Sequence, residues 1–319
     1  MKTKFRGFTE RLHLYPSIAL ALGGGGSKGN AHLGILRVLE REGIRVGAIA
    51  GSSMGGLVAA IFACGISPDE MEDRFSTMER SALFRRGPGV HNAIMGLDGV
   101  AAMLQDWIGD RRFEDLPIPL GMTAVDLITG QEIILTSGPI LDAVLATIAL
   151  PGVFPPRLLN GYELVDGGLI NPVPVGVARS LAPHLPVVAS VLTRPPESNR
   201  ELPRTEVLGP MPLLQKVSRL RLAQAWEVFT RAIGISGRLL AELRLGIEKP
   251  DLIIRSEVDH IGMMDEVDVH EIAKLGEIAA SRELPALRRL LAQRTSLYAL
   301  LNRFSKRDRA AASDLPRAS

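Results

Sequence analysis

Residues 46–64 read Val46-Gly47-Ala48-Ile49-Ala50-Gly51-Ser52-Ser53-Met54-Gly55-Gly56-Leu57-Val58-Ala59-Ala60-Ile61-Phe62-Ala63-Cys64. The first five are short and apolar and read as a buried strand. Residues 56–64 read as a buried helix. Between the two stands G-x-S-x-G, centred on Ser53. Strand, sharp turn and helix form the context of a nucleophile elbow, in which the turn lifts the serine hydroxyl out of the sheet edge. Gly51 and Gly55 leave room for close backbone approach around such a turn. The competing reading is a tight Gly/Ser turn in which Ser52 or Ser53 merely caps the helix.

Upstream, residues 17–22 form an apolar strand that runs into Gly23-Gly24-Gly25-Gly26-Ser27-Lys28-Gly29. A helix follows from about Ala31 to Glu42, with Leu33, Leu36, Val38 and Leu39 on its apolar face and Gly43 at its end. This β-α-β-α opening calls for a partly parallel sheet covered by helices on both faces. Downstream, 117–126 and 132–135 read as strands around a turn at Gly130, and 139–150 as a helix. Residues 162–165 form a short strand that delivers Asp166-Gly167-Gly168. Residues 186–192 and 251–255 read as further strands, and 213–246 and 267–284 as helices, with a boundary at Pro285. The expected organisation is an N-terminal arm over 1–15, one α/β domain over 16–284, and a basic amphipathic helix with a polar tail over 285–319.

At 319 residues and 46% hydrophobic content the chain can bury a full core. Its formal net charge of +2 gives no global field for nucleic acid. The single cysteine, Cys64, makes no intrachain disulfide and reads as a small buried hydrophobe. No Cys/His metal cluster is visible, and no stretch is long and uncharged enough to span a bilayer. Residues 17–22 are too short for a signal segment, so the expected compartment is the cytoplasm. The composition sets no oligomeric state.

The glycine loop admits three readings. Gly24, Gly26 and Gly29 fit G-x-G-x-x-G, the dinucleotide fingerprint, but the second strand ends in Gly51-Ser52-Ser53 and lacks the acidic residue that holds a ribose. A phosphate-binding Walker loop requires Gly before the lysine, where this chain has Ser27. The third reading is an oxyanion hole. Successive glycines at a helix N-terminus expose backbone N–H groups, and the helix dipole favours negative charge there. Gly25 and Gly26 are the preferred donors, with Gly24 in reserve. Lys28 reads as structural or solvent-facing, or as a cation that attracts an anionic head group.

The glycine loop, Ala31-His32-Leu33-Gly34, Gly51-Ser52-Ser53-Met54-Gly55 and Asp166-Gly167-Gly168 together resemble the patatin-like phospholipase family, bacterial type. Residues 149–156, Ala-Leu-Pro-Gly-Val-Phe-Pro-Pro, and the late strand at 251–255 are similar to it too. The resemblance covers about 16–284. It implies a three-layer α/β/α fold with a mostly parallel central sheet, and acyl-ester hydrolysis, usually of lipids. It further implies a Ser-Asp dyad of Ser53 and Asp166, with Gly24, Gly25 and Gly26 in the oxyanion hole. No cofactor and no metal is required by that chemistry.

The residues alone support the dyad less strongly. A serine hydroxyl needs a neighbour to take its proton. A carboxylate with an ordinary pKa near 4 is a poor base at neutral pH unless burial raises it. Asp166 follows an apolar strand, although Asp-Gly is also a common turn dipeptide. Among the six histidines, His32 reads as packing, and His13 and His91 lie away from the motifs. His184, His260 and His270 follow Asp166 in the chain order of a Ser-Asp-His triad and remain alternative bases. A regulatory or scaffold protein on the same fold is the reading from another class. Residues 286–307 place Leu287, Leu290, Leu291, Leu297, Leu301 and Phe304 near one helical face, with Arg288, Arg289, Arg294, Arg303, Lys306 and Arg307 supplying charge. Such a helix suits peripheral contact with an anionic membrane at the inner surface, or docking of its leucines on the domain.

Overall fold

The first strand, β1 (Ser17–Leu22), is buried at every residue, and its side chains alternate in size. Ile18, Leu20 and Leu22 enter one apolar cluster, whereas Ala19 and Ala21 enter another. β2 (Arg45–Ser52) repeats the division, with Ile49 on the first side and Ala48 and Ala50 on the second. A strand with apolar residues on both faces must lie between two layers. The computed structural model describes residues 16–78, 95–195 and 217–313, with the side chains of 217–227, 230–231 and 295–313 left aside. The N-terminal arm and the end of the tail lie outside these residues.

The remaining strands are β3 (Leu120–Asp126), β4 (Glu132–Leu135), β5 (Arg157–Leu159), β6 (Tyr162–Asp166), β7 (Val187–Val191) and β8 (Leu252–Arg255). With β1 and β2 they form one eight-stranded sheet in the order β5-β6-β3-β2-β1-β7-β8, with β4 also paired to β3. The run β3-β2-β1-β7-β8 is parallel, and β4, β5 and β6 form an antiparallel wing. Among the described residues, six helices supply buried side chains to the cluster beneath Ile18, Leu20 and Leu22: α1 (Ala31–Arg41), α2 (Met54–Ala63), α3 (Pro68–Ser76), α4 (Asp98–Ile108), α5 (Ile140–Thr147) and α8 (Val269–Ser313). α6 (Val175–Leu181) and α7 (Val217–Glu248) cover the alanine side through Val175, Val177, Ala178, Ala241 and Leu245. The result is the expected three-layer α/β/α arrangement.

Two local expectations need correction. The third strand starts at Leu120 rather than 117, because Pro117 and Pro119 offer no N–H to a ladder. Pro285 was expected to start a new helix, yet α8 continues through it. An interior proline costs a helix roughly 3 kcal/mol. Tertiary burial offsets this: Leu287 is 1% exposed, and Leu284, Leu290 and Leu291 pack against the same core. α8 also crosses α1 in backbone contact. A Cβ on Gly34 would stand 1.8 Å from Ala273 O, and one on Gly276 1.8 Å from Ala31 O. Arg288 pairs with Glu42, and Arg294 with Asp251 at 2.9 Å. As far as Arg294, therefore, the basic stretch docks on the domain. No helix among the described residues is long and apolar enough to cross a membrane.

Candidate active site

The chain turns from β2 into α2 at Ser53, whose φ of 54° and ψ of −128° lie where L-residues with a Cβ are strained. Such a conformation costs on the order of 1–3 kcal/mol and persists only where its surroundings enforce it. Glycines on either side make the turn feasible. A Cβ at Gly51 would stand 2.3 Å from Gly55 O, and one at Gly55 2.3 Å from Leu22 O. The Ser53 carbonyl accepts from the N–H groups of Gly56 (2.8 Å) and Leu57 (3.1 Å), which starts α2. No side-chain cap bond is made at that helix end, so the Ser53 hydroxyl is not spent as a cap.

That hydroxyl donates instead to Asp166 Oδ2 at 2.6 Å. The two residues are 113 positions apart in sequence. The sheet explains their meeting: Ser52, at the end of β2, is in register with Thr123, and Asp166, at the end of the antiparallel β6, with Ala124. Consecutive residues of β3 thus align the ends of two strands that arrive from opposite directions. Asp166 is 3% exposed. Burial pushes its carboxyl up to about 6, partly offset by hydrogen bonds from Ser53 Oγ and from Gly168 N–H, the latter at 2.7 Å.

The glycine loop lies directly beside Ser53, and a Cβ on Gly24 would stand 3.1 Å from Ser53 Cβ. Gly24 N–H already donates to Pro172 O at 2.9 Å, and Ser27 N–H to Met263 O at 2.9 Å. Between them, the N–H groups of Gly25 and Gly26 meet no acceptor among the described residues. Gly26 has φ of 58°, and a Cβ there would fall 2.0 Å from Met263 O. Lys28 is partly buried, which lowers its pKa, while Asp259 and Asp265 act in the opposite sense.

His32 fixes the base of this loop. Its Nε2 lies 2.8 Å from Gly23 O and its Nδ1 2.8 Å from Ser190 Oγ. A carbonyl only accepts, so Nε2 carries the proton and Nδ1 accepts from the serine hydroxyl. Complete burial drives its pKa down to about 4. The folded state therefore binds fewer protons than the unfolded one between pH 4 and 6.5, and stability is lost as pH falls through that window. His32→Gln should be less stable than wild type at pH 7. Denaturant titrations should find the gap narrowing by roughly 3 kcal/mol towards pH 4.

Among the described residues, no histidine hydrogen-bonds Ser53 or Asp166. His270 Nδ1 bonds Glu72 Oε1 at 2.5 Å, His184 precedes β7 at the opposite end of the sheet, and His260 is exposed. His13 and His91 fall outside the described residues. Ser52 is fully buried, and its hydroxyl has no hydrogen-bond partner among the described residues. Sequence reasoning did not find Thr147, whose Oγ1 accepts Ser53 N–H at 3.0 Å and donates to Thr123 O at 2.6 Å. A threonine near a helix end has no local signature that would single it out.

The chain is similar in sequence to known proteins. A profile of the patatin-like phospholipase family matches residues 20–179, half of the chain. An uncharacterized NTE family protein of Mycobacterium tuberculosis is 34% identical over 177 residues, which are 55% of this chain and 49% of that protein. Patatin-like phospholipase domain-containing protein 7 of Rattus norvegicus is 32% identical over 187 residues, 56% of this chain and 14% of that one. The chain spans about half the length of the mycobacterial relative and less of the rat one. Among solved structures, VipD from Legionella pneumophila aligns with a TM-score of 0.45 at 12% identity, over 88% of this chain and 67% of that one. The chain belongs to the patatin-like phospholipase family.

Proposed function

We propose that this protein is a serine acyl hydrolase of lipid or other carboxylic esters, working through a Ser53–Asp166 dyad. One observation carries the reading: a serine held at a strained elbow donates its hydroxyl proton to a buried carboxylate at 2.6 Å. Ser53 Oγ attacks the ester carbonyl carbon while its proton passes to Asp166 Oδ2. The carbonyl π-electrons move onto oxygen, and the N–H groups of Gly25 and Gly26 receive the oxyanion. Gly24 acts by having no side chain, since its own N–H is committed to Pro172. Collapse of the intermediate breaks the ester C–O bond, and the departing oxygen takes the proton from Asp166. Water then attacks the acyl-enzyme, gives its proton to Asp166, and the carboxylic acid leaves as Ser53 recovers its hydrogen.

A carboxyl pushed up to about 6 suits this role, because a base works best with a pKa near the operating pH. Ser53→Ala should abolish turnover of a p-nitrophenyl ester. Ser52→Ala removes only a buried hydroxyl without a partner among the described residues and should leave most activity. Equal loss from both would defeat the assignment. Labelling by a fluorophosphonate separates an activated serine from a scaffold that merely keeps the fold. Since no step requires a metal, activity on a soluble ester should survive EDTA.

Membrane contact through 286–307 is proposed for its distal part only, because Leu287 is buried and Arg288 and Arg294 are paired. Truncation after Arg294 should weaken binding to anionic vesicles and spare soluble-ester turnover. The binding of the full chain should fade with added salt. Unchanged vesicle binding by the truncated protein would exclude the distal part.

A further inference from the structure

We infer that Thr147, with Ala149 two residues on, forms a clamp that sets the geometry between Ser53 and Asp166, so that Thr147 is a positioning residue for the reaction. This rests on the hydrolase reading above and extends it to residues that touch neither substrate nor the transferred proton.

Thr147 ends α5 and is fully buried. Its Oγ1 bonds on both sides, accepting from Ser53 N–H at 3.0 Å and donating to Thr123 O at 2.6 Å. Ala149 O accepts Asp166 N–H at 2.9 Å. A three-residue stretch therefore grips the backbone of both dyad members. Thr123 ties the grip to the sheet, since its residue is the register partner of Ser52, beside Ser53. A Cβ on Gly167, beside Asp166, would stand 2.2 Å from Thr123 O. Without the Thr147 hydroxyl, Ser53 N–H and Thr123 O would both lose a buried partner, and the positive-φ serine would lose a tether that resists its relaxation. Misplacing a reacting group by about 1 Å costs on the order of 100-fold in rate. The loss should fall on the chemical step, because the clamp lies behind Ser53 rather than on a surface that substrate meets.

The test compares wild type, Thr147→Val and Thr147→Ser in the full chain with a soluble p-nitrophenyl ester. Valine keeps the shape and removes the hydroxyl; serine keeps the hydroxyl. Expected are a fall in kcat of roughly 10- to 100-fold for Thr147→Val with KM within about twofold, and recovery to within about threefold of wild type for Thr147→Ser. The rate of fluorophosphonate labelling should fall in parallel. In the folded valine variant, the Ser53 amide should also exchange its hydrogen faster, a readout independent of turnover. A valine variant with wild-type kcat, or valine and serine variants equally impaired, overturns the inference while the hydrolase reading stands. If Thr147→Val fails to fold, Thr147→Ser and Thr147→Cys replace the comparison. The sulfur is a weaker hydrogen-bond group, so equal kcat in those two overturns the inference. A wild-type protein inert to both ester and fluorophosphonate removes the hydrolase reading and this inference with it.

Discussion

Asp166→Asn should abolish ester hydrolysis and, at neutral pH, make the protein more stable. Both outcomes come from one buried carboxyl. The carboxamide that replaces it has no basic oxygen to receive the Ser53 proton, so activity should fall nearly as far as in Ser53→Ala. The double variant should lose little more than either single one, because residues acting as one catalytic unit are strongly non-additive. The stability gain follows from the sign of the pKa shift. The folded-state value of about 6 lies above the ordinary value of 3.8, so the folded state binds more protons than the unfolded one between these pH values. Stability is therefore lost as pH rises through that window, and the deficit is complete above it. It amounts to about 3 kcal/mol at most. An asparagine carries no such charge. Denaturant titration at pH 7.5 should favour Asp166→Asn, and the advantage should shrink towards pH 4. A histidine base predicts otherwise: replacing His184, His260 or His270 by Gln would then be as damaging as losing Ser53. The acid limb of kcat/KM cannot separate the two bases alone, since a carboxyl raised to about 6 resembles an imidazole near 6.5. The substitutions decide it.

Gly26→Ala should be the second severe change, costing on the order of 100- to 1000-fold in kcat, the usual effect of losing one oxyanion donor. Two constraints meet at this position. The backbone has φ of 58°, and an added Cβ would fall 2.0 Å from the Met263 carbonyl oxygen. Either the loop or the 262–265 segment must shift, and the Ser27 N–H to Met263 O bond that joins them would be strained with it. Gly43→Ala provides the control. Gly43 also has positive φ, at 65°, but a Cβ there meets nothing within 4 Å. It should lose roughly 1 kcal/mol of stability and keep wild-type turnover. If Gly43→Ala loses turnover as severely as Gly26→Ala, backbone strain rather than displacement of the donors is responsible. A Gly26→Ala enzyme with normal kcat would remove the glycine loop from the chemistry.

Much of this molecule was legible in its residue pattern because the deciding signals are local. An apolar run ending in Gly51-Ser52-Ser53 and followed by an apolar helix can only turn sharply, and a close approach such as that of Gly55 to Leu22 O excludes any side chain. The same holds for the layered fold: the β-α-β-α opening calls for helices on both faces of the sheet, and β1 is buried at every residue. The expected separation at Pro285 failed because proline reports a local helix cost, whereas α8 is held by long-range contacts of Leu287 and Gly276. Membership of Asp166 in the site came from resemblance, since Asp-Gly by itself is an ordinary turn. Only the register of β2 and β6 against Thr123 and Ala124 brings its carboxylate to 2.6 Å from Ser53 Oγ. Thr147 and His32 were legible least of all. Each acts through hydrogen bonds to residues distant along the chain or to backbone carbonyls, and no spacing within a helix encodes such a partner. The burial that raises the Asp166 carboxyl and lowers the His32 imidazole belongs to the assembled layers, because desolvation depends on what surrounds a group in space, not on its neighbours in sequence.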